Sequence, residues 1–172
     1  MSAESPKLEK NQTMNSRLMM LFATMLLLAA PLGSPAQELS IFADQAFQPA
    51  LQEILPLFSE QTGVAVQLSL GNSIILAERL RSGHPADVFF PASEEAMNRM
   101  TEKGLVDVAL KRNILALPAA PPTEEGVIPE TQYAAAAVLN ESTNRLQAMA
   151  FLEFLVSEPA RAAFARQGFA LP

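Results

Sequence analysis

Ser82-Gly83-His84-Pro85-Ala86-Asp87-Val88-Phe89-Phe90-Pro91-Ala92 reads as the end of a helix, a turn and a short strand. A glycine stops the helix, Pro85 sets the turn, and Asp87 to Phe90 runs as an apolar third strand to a polar rim. Joints of this kind build open α/β sheets, whose ligands sit at the carboxyl ends of the strands. Pro91 to Ser93 therefore mark the edge of a candidate binding site.

The same grammar extends in both directions. Upstream, Leu39 to Ala43 is a first strand, and Phe47, Leu51, Ile54, Leu55 and Phe58 recur at helical spacing. Pro49 suits the first turn of that helix, and Pro56 should kink or divide it. Val64 to Leu70 is a second strand, and Gly71-Asn72-Ser73 is a tight turn with Ser73 as the expected N-cap. Ile74, Leu76, Ala77 and Leu80 give the next helix. Downstream, Glu94 to Lys103 is a helix with acids first and a base last, as the helix dipole favours. The resulting βαβαβα order predicts an α/β fold with a mostly parallel sheet covered by helices. Asn113 to Leu117 is a further apolar run. Pro118 to Gly126 is rich in proline and small residues and reads as linker. A strand and turn over Thr131 to Leu139 and helices over Asn144 to Val156 and from Pro159 to Gly168 complete the chain.

The first 36 residues read as an export signal rather than as fold. Arg17 precedes an apolar run from Leu18 to Ala30, and Ser34-Pro35-Ala36 offers small residues for cleavage. The run is too short to span a bilayer. Met14 is a second candidate start, which makes residues 1–13 an extension. The chain has 172 residues and a net charge of −6, and all of the acidic excess lies after residue 36. That balance argues against nucleic acid and anionic membranes as partners. The absence of cysteine excludes disulfides and thiolate chemistry. No phosphate loop, dinucleotide fingerprint, nucleophile elbow or histidine-based pair is present, which argues against an enzyme; the residues imply no cofactor and no metal.

Four blocks carry a resemblance: Ile41-Phe42-Ala43, Glu60-Gln61-Thr62-Gly63-Val64, Gly83-His84-Pro85-Ala86-Asp87-Val88-Phe89, and Glu102-Lys103-Gly104-Leu105-Val106. With Ala137-Val138-Leu139, Phe151 to Leu155, Ala160-Arg161, Phe164 and Gly168-Phe169 in the tail, the chain resembles the periplasmic molybdate-binding proteins of ABC importers. That resemblance implies a type II periplasmic-binding fold of two lobes around a cleft. Here residues 37–117 would form the first part of lobe one, 118–126 a short bridge where lobe two should be, and 127–172 the late-returning strand and helices that complete lobe one.

The resemblance also implies a site. Family members hold a tetrahedral oxyanion with hydroxyls and helix-terminal N–H groups, which need no cation. Ser73 matches a ligand-binding serine, Ala92 a backbone donor after the third strand, and Ala46 a serine whose hydroxyl is lost here. Asn72 is the fourth candidate, against a plain turn role. Ser73 stays open between N-cap and ligand. Asp44, between the first strand and first helix, is expected to cap the helix and plug the anion site. Asp87 is expected to brace the Pro85 turn, His84 to be an exposed loop residue, and Ser142-Thr143 to cap the helix from Asn144. The implied function is an exported, periplasmic or secreted solute-binding component for molybdate- or tungstate-type oxyanions, docking an ABC permease and weakened by loss of lobe two. The alternative is a single-lobe interaction module without a transport ligand, or a degenerate binding protein that has lost its ligand. Its open cleft face, flanked by Ala46, Phe47 and Phe90, would then be a contact surface, and the same face is the expected seat of a homodimer.

Overall fold

Strands alternate with helices along the chain because apolar residues switch between a period of two and a helical period at each glycine-rich joint. The structure, a computed structural model, describes residues 38–117 and 132–172. The expected export signal, residues 1–36, and the bridge 118–126 lie outside the described residues. Strands are β1 (Leu39–Asp44), β2 (Val66–Gly71), β3 (Val88–Phe90), β4 (Arg112–Ala116) and β5 (Tyr133–Val138). Helices are α1 (Gln48–Thr62), α2 (Ser73–Arg81), α3 (Glu94–Glu102), α4 (Arg145–Leu155) and α5 (Glu158–Arg166). Short 3-10 turns occupy Gln45–Phe47 and Val108–Leu110.

The sheet is mixed, with strand order β2-β1-β3-β5-β4. β1 pairs in parallel with β2 and with β3. The returning β5 pairs antiparallel with β3 and with β4. The parallel part is therefore the βαβαβ run, and the antiparallel part arrives with the C-terminal return.

Alternation along the strands splits the core into two layers. Leu39, Ile41, Ala43, Val88, Phe90 and Val138 face one layer, built with α1, α4 and α5. Phe42, Phe89, Ala135 and Ala137 face the other, built with α2 and α3 through Leu76, Leu80, Met97 and Met100. A sheet covered on both faces must be apolar on both, and these strands are.

Two sequence expectations change here. Pro56 neither divides nor ends α1, which runs unbroken from Gln48 to Thr62. Its ring sits on an exposed face, where the carbonyl that loses its donor meets water. Phe47 and Phe90 do not flank an open cleft. Both are fully buried, stacked on each other with centroids 4.3 Å apart. Phe169 packs edge-on to Phe47 and Phe164 edge-on to Phe90. The returning C-terminus covers them, so a contact surface or homodimer seat built on those rings is ruled out by their burial.

Candidate functional site

At the carboxyl end of β1 the chain turns at Asp44, whose extended backbone (φ −64°, ψ 141°) opens the 3-10 turn. Its Oδ1 accepts from the Ala46 amide at 2.9 Å. Its Oδ2 accepts from the Ser73 amide at 2.8 Å and from the Ser73 hydroxyl. That hydroxyl oxygen in turn accepts from the Ala92 amide at 2.9 Å. Asp44 is 8% exposed and Ser73 3%.

Each donor is placed by its element. Ala46 lies in the first turn after β1, Ser73 is the first residue of α2, and Ala92 follows β3. Parallel pairing of β1 with both neighbours sets Asp44 opposite Gly71 and Ala43 opposite Phe90, so all three turns meet at one rim. The Ser73 amide is among those that α2 leaves unpaired at its start. None of the five ion pairs among the described residues includes Asp44. The carboxylate is held by dipoles and a hydroxyl alone, which is the way a helix start holds an anion.

The sequence-derived positions therefore sort cleanly. Ala46, Ser73 and Ala92 come together: Asp44 accepts from the first two, and the Ala92 amide donates to the Ser73 hydroxyl oxygen behind them. Asn72, not Ser73, is the N-cap of α2: its Oδ1 accepts from the Ile74 amide at 3.0 Å. The extended backbone at Asn72 suits a cap, whereas Ser73 already has helical geometry and aims its hydroxyl at Asp44.

A second buried carboxylate sits at the amino end of the sheet. Asp87 Oδ2 accepts from the Ser40 amide at 2.8 Å and from Asn144 Nδ2 at 3.0 Å, and Oδ1 accepts from the Ser142 hydroxyl at 2.7 Å. Asp87 thus ties β1 to the segment entering α4, a reach wider than the Pro85 turn it was expected to brace. Ser142 donates its hydroxyl proton to Asp87 and accepts from the Asn144 amide at 3.2 Å, but the N-cap position of α4 is Asn144 itself, whose side chain makes no capping bond. No local pattern announces this cluster, because the partners of Asp87 lie 47 to 57 residues away from it. His84 is exposed, with Nδ1 3.0 Å from the Arg79 carbonyl oxygen.

Among the described residues no helix is long and apolar enough to cross a membrane, and no group of three or more His, Cys, Asp or Glu could hold a metal ion.

A family model of bacterial extracellular solute-binding proteins matches residues 39–125 and 108–170. The chain is 31% identical over 78 residues to the molybdate-binding protein ModA of Escherichia coli K12, an alignment that spans 45% of this chain and 30% of that protein. The chain thus matches under a third of that relative's length. Among solved structures, the periplasmic molybdate-binding protein of Azotobacter vinelandii superposes with a TM-score of 0.67 at 15% identity, covering 78% of this chain and 99% of the other. The sulfate-binding protein SubI of Mycobacterium tuberculosis gives 0.60 at 15% identity, covering 77% and 86%. These likenesses identify the fold as that of periplasmic binding proteins, and 172 residues suit a single lobe of it.

Proposed function

From the premise that this chain belongs to the bacterial extracellular solute-binding proteins, a non-enzymatic family related here to molybdate binders, we propose that it is an exported oxyanion-site protein of an ABC importer held in a self-capped state. Residues 1–36 direct export, residues 118–126 replace the second lobe, and Ala46, Ser73 and Ala92 form the surviving half of an anion site, with Asn72 positioning Ser73 by capping its helix. Asp44 occupies that half-site with its own carboxylate. An incoming molybdate or tungstate must displace it, and meets a like charge until it does.

The observation that carries this reading is the convergence of two amides and a hydroxyl on Asp44, with a third amide behind Ser73. A hydrogen bond to a charged group contributes about 1.5–3 kcal/mol. Displacing several of them weakens an oxyanion by more than tenfold, since each ~1.4 kcal/mol is a factor of ten. The donors that a second lobe would supply have no counterpart in the bridge, so the ligand is bound from one side only.

Calorimetric titration of molybdate, tungstate and sulfate into the wild type and into Asp44→Ala tests this. The wild type should bind weakly, and Asp44→Ala should bind at least one of the three about 10-fold or more tighter. If the variant folds and binds none of them, the latent-site reading falls. The interaction module without a ligand then takes its place, since it too is consistent with donors that are already satisfied.

A further inference from the structure

A pocket of about 320 Å³ opens at the amino ends of β1 and β3. It includes Ser40, which along β1 stands four residues from Asp44, roughly 13 Å at about 3.3 Å per residue, so it has no part in the oxyanion reading. Its floor is apolar, with Leu80, Met100 and Leu139 all buried. Among the described residues its polar wall holds three carboxylates, Glu38, Asp87 and Glu141, and no lysine or arginine. The one other ionisable side chain described there is His84, which is exposed.

Asn144 adds an independent observation. It lines the pocket and is 8% exposed. Its Nδ2 donates to the Glu38 carbonyl at 3.2 Å and to Asp87 Oδ2 at 3.0 Å. Those two acceptors fix the amide, because a flipped side chain would set Oδ1 against a carboxylate. Oδ1 is therefore the atom left over, buried and without a donor among the described residues. An unpaired buried acceptor is costly, and a ligand that brings a donor removes the cost.

We propose that this pocket binds a small organic cation, a guanidinium or ammonium group on a short aliphatic stem. The head lies beside Asn144 within the field of Glu38, Asp87 and Glu141, where a small shift of the Asn144 side chain brings Oδ1 to its donor, and the stem lies on the Leu80–Met100–Leu139 floor. The volume lies at the small end of the range for ligand pockets, which limits the stem to a few carbons. Anions are repelled by the same three carboxylates.

The test is titration of the full chain with n-butylguanidinium and with n-butylurea, which keeps the shape and removes the charge, followed by calorimetry and amide NMR. Butylguanidinium should perturb amides around Ala86, Leu139 and Asn144 and bind about 10-fold or more tighter than butylurea. Glu141→Gln should weaken it by about 3- to 10-fold. Glu141 is exposed and in none of the ion pairs among the described residues, so this substitution leaves the fold intact. Asp44→Ala should leave cation binding unchanged, which separates this proposal from the oxyanion reading. Equal affinity for the two probes, perturbation confined to other surfaces, or an unchanged affinity in Glu141→Gln would overturn it.

Discussion

The two ends of β1 each hold a buried carboxylate with three hydrogen-bond donors, yet the two are built to different purposes. At the carboxyl end, Asp44 collects the Ala46 and Ser73 amides and the Ser73 hydroxyl, donors that belong to the starts of turns and helices. At the amino end, Asp87 collects the Ser40 amide, the Ser142 hydroxyl and the Asn144 side-chain amide, donors gathered from distant parts of the chain. The first arrangement uses the kind of donors that hold anions at helix starts. The second fastens the C-terminal return to the first strand. The same chemistry thus joins the starts of neighbouring turns in one place and fastens distant segments in the other; on the proposed reading, variants at the two aspartates should behave differently.

The largest effect should come from Asp87→Ala. It strands three donors, two of them on elements that must dock for the sheet to close. A loss on the order of 3–5 kcal/mol is expected in urea unfolding, and molybdate should restore none of it. A loss under about 1 kcal/mol would erase the distinction between the two ends. Asp44→Ala should cost less, about 1–3 kcal/mol, because the exposed Ala46 amide can turn to water. This loss should be recovered by oxyanion, with about 2.7 kcal/mol regained at one hundred times Kd. If no oxyanion stabilises Asp44→Ala, Asp44 is a fastening like its counterpart. Ser73→Ala follows at about 1–2 kcal/mol, since it removes one donor from Asp44 and the acceptor of the Ala92 amide. It should also blunt the oxyanion gain of the Asp44→Ala background when the two are combined.

The smallest effect concerns pH. The hydrogen bonds from Arg166, then Gln167, hold the Glu53 carboxyl below its ordinary value, and the Arg145 guanidinium does the same for Asp107. A carboxylate depressed in the folded state adds stability that is fully present above its unfolded value and is lost as pH falls through the folded one. Both groups are half-buried near the surface, and both tie the C-terminal return to the first half. Acid unfolding below about pH 4 should therefore show a slightly shallower dependence in Glu53→Gln, read by thermal melts across pH. An identical acid limb would remove Glu53 from the account.

Much of this architecture was legible from local chemistry. Gly63 and Gly83 adopt positive φ, at 71° and 87°, and end helices where the sequence placed the breaks. The contacts of Asp44 were legible because its amide partner at Ala46 is two residues away and Ser73 was already marked by resemblance. The one-residue exchange of roles between Asn72 and Ser73 was not, since both are good caps and only the backbone angle decides. The burial of Phe47 and Phe90 was missed because its agents, Phe164 and Phe169, come from the far end of the chain. The Asp87 cluster escaped for the same reason. Sequence reasoning sees contacts made within a turn or two, and loses those made by a segment that leaves the sheet and comes back.

That return has a consequence for how the molecule comes into being. The first layer of the core needs Phe151, Phe164 and their neighbours, and the Glu53–Arg166 contact joins residues 113 positions apart. A nascent chain that has emerged only as far as β4 therefore has an unfinished sheet and bare phenylalanines. Contacts of such long sequence separation form slowly. Closure of the core therefore waits for the last staves of the chain to arrive.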